Sequence, residues 1–224
     1  MKANIIITSA SRGGHNHTAN MIRSWVNNPS RVYKFEGVIP SDYHSHICTM
    51  RDGGRVFDVK ANSINIIQVR DFLNWSASWV KYNINKGEAF NERIVLSAFT
   101  EWYKIAIEGF KDSQYIDNTI LLQYDQFVQN EAYRRSICSL LDGDYTDSSI
   151  DYVPQEGMGS SFDGFSMQGK GSEMSVLKRY DWFNTEEGSY YLRHLKVKKY
   201  ILEYYVEKFD LTAGQRKLVN ETLK

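Results

Sequence analysis

The 224-residue chain has only two cysteines, three prolines and no long apolar run, and its 27 lysines and arginines balance 27 aspartates and glutamates. The cysteines, Cys48 and Cys138, lie far apart and match no zinc-ligand spacing, so free thiols in a reducing compartment are the default. That predicts a cytoplasmic location and no bound metal. No stretch is long and apolar enough to span a membrane. The N-terminal MKANIIITSASRGG carries a short apolar run and then arginine and glycines, which reads as a first strand rather than a secretory leader. Zero net charge removes the global basic bias of a nucleic-acid coat, although a local basic pocket stays compatible with it. Also absent is GxxxxGK[ST]. Without its lysine and magnesium-binding hydroxyl, ATP or GTP hydrolysis is disfavoured.

What is present is an ordinary globular composition, 42% hydrophobic and 24% charged, enough for one domain over residues 1–224. The fifteen tyrosines and five tryptophans serve either core packing or stacking on a sugar or base. Buried strands are expected at 5–9 (IIITS), 31–35, 64–69 (INIIQV) and 119–124 (TILLQY). Helices are expected at 16–26, from Asp71 to Gly87, at 92–110, 125–141, 184–208 and 212–223. In the 92–110 helix, Ile94, Ala98, Trp102, Ile105 and Phe110 form the expected inner face. Residues 37–55 read as a long loop, and 142–175 as an irregular Gly/Ser/Asp-rich segment that is either a connector or a loop closing over a ligand. Strands alternating with helices predict a parallel sheet covered on both faces, a three-layer α/β/α fold.

Two motifs carry chemistry. In SRGGHN the glycines let the backbone approach an anion, and the amides of the following helix start point at it. Arg12 adds a rigid charged fork. In VRDFLNWSAS, Arg70 stands just past a strand end, and Ser78 follows two helical turns later, so both can converge on one anion. The competing reading is an ordinary strand-to-helix junction with a packing serine.

Together these motifs resemble the sulfotransferase family that uses 3′-phosphoadenosine 5′-phosphosulfate (PAPS). Family loops read PRSGTT or PKSGTT where this chain reads SRGGHN. Arg12 falls on the family's Lys/Arg, Gly14 on its glycine, and His15 and Asn16 on its hydroxyl pair. The family's VRDPRDxxxS is matched by Arg70, Asp71 and Ser78. TILLQYDQFVQNEAYRRSICSLL is similar to its RYEDL segment and the helix after it. MQGKGSEMSVLKRYDWF resembles its late loop RKGxxGDWKNxF, with Lys170 and Gly171 matching and Gly169 in place of the arginine.

The resemblance implies a P-loop-type sulfotransferase fold and a nucleotide donor, with no metal. It implies that Arg12, Gly13, Gly14, His15, Asn16 and His17 hold the 5′-phosphosulfate, and that Arg70, Ser78, Lys170 and Gly171 hold the 3′-phosphate. Sulfuryl transfer needs in-line geometry, neutralisation of the leaving phosphate and a base for the acceptor proton. Arg12 is the expected catalytic cation. Glu36, His44 and His46 are the candidate bases, Glu36 being preferred for its place at the end of a strand. Ser160, Ser161 and Phe162 either touch the nucleotide, line the acceptor cleft or belong to a connector. Arg179 is expected to pair with Asp181 at the surface, with the pocket as its alternative. A small-molecule or carbohydrate acceptor is expected, with a protein tyrosine or a lipid headgroup left open, and no nucleic-acid partner is expected. The rivals are a nucleotide or small-molecule kinase and a non-catalytic phosphonucleotide-binding module.

Overall fold

A computed structural model describes residues 4–36, 49–52, 55–58, 63–87, 91–112, 119–153, 160, 162–164, 166–194 and 198–223. His44, His46, Cys48 and Ser161 lie outside the described residues. In chain order the strands are β1 (Asn4–Ser9), β2 (Val32–Glu36), β3 (Thr49–Asp52), β4 (Arg55–Asp58), β5 (Ser63–Val69) and β6 (Thr119–Gln123). The helices are α1 (His15–Trp25), α2 (Phe72–Asn85), α3 (Glu92–Gly109), α4 (Tyr124–Gln129), α5 (Glu131–Leu140), α6 (Glu186–His194), α7 (Lys199–Lys208) and α8 (Ala213–Thr222).

β2, β1, β5 and β6 lie side by side in that order, all parallel. Ile5 pairs with Val32 and Ile64, and Ile67 pairs with Thr8 and Leu121. Parallel strands covered on both faces need apolar residues in succession, which is why IIITS and INIIQV are runs rather than alternations. Successive side chains then feed two separate cores. Ile5, Ile7, Ile66 and Leu122 pack with Met21, Ile22, Trp25, Phe127 and Ile137, from α1, α4 and α5. Ile6, Ile67 and Val69 pack with Phe72, Trp75, Phe99, Trp102 and Tyr205, from α2, α3 and α7. Each fully buried Ile or Phe contributes about 1.5–3 kcal/mol of transfer free energy. The result is the expected three-layer α/β/α arrangement around a central parallel sheet.

This order creates a crevice. From β1 the chain moves to β2 on one side, and from β5 it moves to β6 on the other. The loops leaving β1 and β5 therefore diverge at the carboxyl edge, where α/β folds bind ligands. The loop after β1 is SRGGHN, and the residue after β5 is Arg70.

Several elements differ from expectation. The 37–55 loop reading misses β3 and β4, an antiparallel pair with Asp52 opposite Arg55. Gly53-Gly54 falls between them, a short hairpin signal that the reading passed over. The expected 125–141 helix is two helices. Asn130 is extended (φ −121°, ψ 105°), and its side chain accepts the Tyr133 amide at 3.1 Å as the cap of α5. The 184–208 helix is also two, α6 and α7, preceded by a 3-10 turn at Arg179–Asn184. Ile94, expected inside, is 48% exposed. Val95 and Phe99 take the inner face with Ala98 and Trp102.

Candidate anion-binding site

The loop after β1 is held from beneath by its carbonyls. The Gly13 amide turns back to Ala10 O at 2.8 Å. Trp75 Nε1 donates to Ser11 O at 2.7 Å, and Gln68 Nε2 donates to Gly13 O at 2.7 Å. Arg70 Nη1 reaches Arg12 O at 3.3 Å. Side chains from β5 and α2 thus tie the oxygens inward, which leaves the other side of the loop for an incoming group.

Arg12 and Gly14 both adopt positive φ, 63° and 93°. At Gly14 a Cβ would lie 2.5 Å from the Tyr124 ring, so both the conformation and the space require glycine. No side chain caps the start of α1, and its first turn carries no acidic residue. That combination favours an anion at the helix start.

A cavity of about 410 Å³ opens there. Gly14, His15, Asn16 and His17 line one wall, and Arg12, Arg70 and Arg179 also face it. No aspartate or glutamate lines it among the described residues. Three guanidinium groups without a carboxylate on the wall make this end of the cavity complementary to negative charge. Tyr82, Tyr124, Ile150 and Val153 supply flat or apolar lining beside the cations, which suits a ligand with an anionic end and an apolar body.

The two histidines are fixed differently. His15 Nδ1 lies 3.1 Å from Ser9 Oγ. That hydroxyl donates to Ala10 O at 3.0 Å, so it accepts from the imidazole and assigns a proton to Nδ1. His17 Nε2 donates to Ile150 O at 3.1 Å. Burial is the main force lowering its pKa, so its ring is neutral at pH 7. Asn16 Oδ1 accepts from Lys34 Nζ at 2.6 Å, which leaves its NH₂ to act as a donor. Lys34, from β2, is a cation that sequence reasoning did not single out.

Beside this loop stand Arg70 and Arg179. Arg70 Nη2 donates to Val176 O at 2.8 Å, and its guanidinium carbon is 5.3 Å from the Tyr124 ring centre. Arg179 is not the surface partner of Asp181 that was expected. It is 8% exposed, with Nη1 on Ser78 Oγ at 2.9 Å and Nη2 on Ser160 Oγ at 2.8 Å. Among the described residues the acid it meets is Asp163, at 3.7 Å. Burial, and then the charge of Arg70, push the guanidinium down to about 9. The reason is the turn: at three residues per turn, Arg179 shares a face with buried Trp182 and not with Asp181.

The expected residues are therefore brought together unevenly. Arg12, Gly14, His15, Asn16, His17, Arg70 and Gly171 line the cavity. Gly13 is buried in the turn itself and does not line it. Ser78 is fully buried, donates to Asn74 O at 3.0 Å, and meets the cavity through Arg179. Lys170 is exposed and away from the lining. Glu36 ends β2, whose last pair is Ser9 with Glu36, at the same carboxyl edge. Tyr124 and Tyr82 were not expected in the site. Tyr124 opens α4 directly after β6, and Tyr82 carries Arg12 4.4 Å above its ring. Among the described residues no group of three or more His, Cys, Asp or Glu is placed to hold a metal ion, and no helix is long and apolar enough to cross a membrane.

No family model matches this chain, and no curated protein matches it. Among solved structures, the chain is similar to the crystal structure of mouse sulfotransferase SULT7A1 complexed with PAP. The two share 14% identity over 99% of this chain and 90% of that chain, with a TM-score of 0.48.

Proposed function

We propose that the protein is a PAPS-dependent sulfotransferase, moving a sulfuryl group to a hydroxyl or amine acceptor such as a carbohydrate. The observation that carries this reading is the gathering of three guanidinium groups, Arg12, Arg70 and Arg179, with the SRGGHN helix start around one cavity. A donor with 5′ and 3′ anionic groups asks for several cations around one cavity. A Walker nucleotide would instead ask for a lysine and a magnesium-binding hydroxyl, which the loop lacks.

In the transfer, the acceptor oxygen forms its bond to sulfur as the bond from sulfur to the donor phosphate breaks. Negative charge grows on the leaving phosphate, where Arg12 and the first amides of α1 offset it. The acceptor proton passes to a base, with Glu36 preferred over His44 and His46. Tyr124, Tyr82 and the apolar wall suit the nucleoside. The enzyme works in the cytoplasm, as its sparse cysteines suggest.

Calorimetry with adenosine 3′,5′-bisphosphate against ATP tests the reading. Preferred binding of the bisphosphate, weakened at least tenfold in Arg70→Ala (roughly 1.4 kcal/mol or more), is the expected result. ATP preference, or no binding of either, overturns it.

A further inference from the structure

Behind Arg70 lies a carboxyl pair that the proposed transfer does not use. Asp71 caps α2, taking the Asn74 amide on Oδ1 at 2.8 Å. Its Oδ2 accepts from the Tyr205 hydroxyl and from Gln215 Nε2, the latter at 2.9 Å. Asp125 stands beside it. Its Oδ2 accepts the Asp71 amide at 2.6 Å, while its Oδ1 is buried with no hydrogen-bond partner among the described residues. Two carboxyls this close and this buried do not both ionise readily near neutrality, and they titrate as one unit.

Burial first, and then the repulsion of Asp125, push Asp71 up to about 7. Asp125 is raised by burial. The groups that face the pair come from every side. Arg70, at the end of β5, is the cation acting on both carboxyls, and Tyr124 faces Asp125 from α4. Tyr205 comes from α7, with neutral donors Asn74 from α2 and Gln215 from α8. Arg70 is thus shared between two environments. One side of it favours the ionised pair, and the other lines the cavity.

We propose that an anion bound at Arg70 draws a proton into the Asp71–Asp125 pair, so that anion affinity is linked to pH through carboxyls that never touch the ligand. The inference rests on the cavity being an anion site, whatever nucleotide it takes. An anion cancels part of the Arg70 field, and that field is one of the forces that favour the ionised form of both carboxyls. The pair then takes a proton from solvent. Linkage is reciprocal: protonating the pair strengthens anion binding by the same factor. Affinity falls by roughly three- to tenfold as pH rises through the range in which the pair titrates.

The test is calorimetry of adenosine 3′,5′-bisphosphate at about pH 7.5 in two buffers of different ionisation heat. The ligand's phosphates titrate near pH 6 and are already ionised there, so any uptake belongs to the protein. The wild type takes up protons on binding. Asp125→Asn abolishes the uptake, while His15→Gln and His17→Gln weaken binding but keep the uptake per mole bound. Tyr205→Phe removes a hydrogen bond that favours ionised Asp71, so its uptake maximum moves to higher pH. That variant keeps the test decisive if Asp125→Asn fails to fold. Absence of uptake in the wild type, or uptake unchanged in both Asp125→Asn and Tyr205→Phe, overturns the linkage. Inorganic sulfate, whose charge is fixed over this range, is the second probe. Uptake with sulfate but no bisphosphate binding sinks the nucleotide reading and keeps the linkage. Binding of both probes without uptake sinks the linkage alone, and binding of neither sinks both.

Discussion

At Gly14 a methyl group would meet the Tyr124 ring at 2.5 Å on a backbone already at φ 93°. Gly14→Ala therefore adds left-handed strain to overpacking, and is expected to lower stability by about 2–4 kcal/mol in urea unfolding. Arg12 belongs to the same turn, but its guanidinium lies over Tyr82 and faces the cavity. In the proposed transfer its contribution should grow as charge builds on the leaving phosphate. Arg12→Ala is expected to lower turnover more than nucleotide affinity, and steady-state kinetics with separate kcat and nucleotide Kd would detect an unchanged kcat. Arg12 and Arg70 were legible in the sequence because each follows a buried strand, and strand ends converge in an α/β fold. Arg179 was not. Its burial depends on a 3-10 turn whose face is set by Trp182 and Phe183, and no periodicity of the flanking segment announces that turn. Ser78 was legible as a residue of the helix that follows Arg70, but its bond to Arg179 joins positions about a hundred residues apart, which local pattern does not report.

Between elements, capping decided what hydrophobic spacing could not. The apolar positions of 125–141 suit one continuous helix, yet the Asn130 side chain captures the Tyr133 amide and restarts the chain as α5. Asn130→Ala should cost about 1 kcal/mol of stability, read as a lower urea midpoint at unchanged slope. The β3–β4 hairpin was missed for the opposite reason. Its strands are four residues each, too short for an alternation count, and only Gly53-Gly54 marked the turn. The four parallel strands were read within a residue or so of their bounds, since burial on both faces leaves an unbroken apolar signature. The break between α6 and α7 carries no proline or glycine in HLKVKK, so composition there is silent.

Across the whole molecule, Asp71 joins layers that are distant in sequence: it caps α2 and takes hydrogen bonds from Tyr205 on α7 and Gln215 on α8. Its folded pKa, about 7, lies above the unfolded value near 3.9. The folded state thus binds the extra proton, and the stability Asp71 contributes is fully present below about pH 4 and lost as pH rises through 7. His17 acts with the opposite sign. Its pKa is depressed, so its stability is present above about pH 6.5 and lost as pH falls. Subtracting the urea-unfolding free energies of Asp71→Asn from the wild type isolates the first effect. The difference is expected to move against the wild type by on the order of 1–4 kcal/mol between about pH 4 and pH 8. A flat difference would show that Asp71 ionises as freely in the fold as outside it.

The indole of Trp75, fully buried, hangs on the Ser11 carbonyl, and that of Trp102 hangs on the Arg70 carbonyl at 2.8 Å. Each of those carbonyls belongs to a residue lining the cavity. The molecule thus carries its own pair of optical reporters, one wired to each of these two stretches of the cavity wall. Filling the cavity should shift tryptophan emission without any added dye. Trp75→Phe and Trp102→Phe would then assign the signal to the β1 loop or to the end of β5.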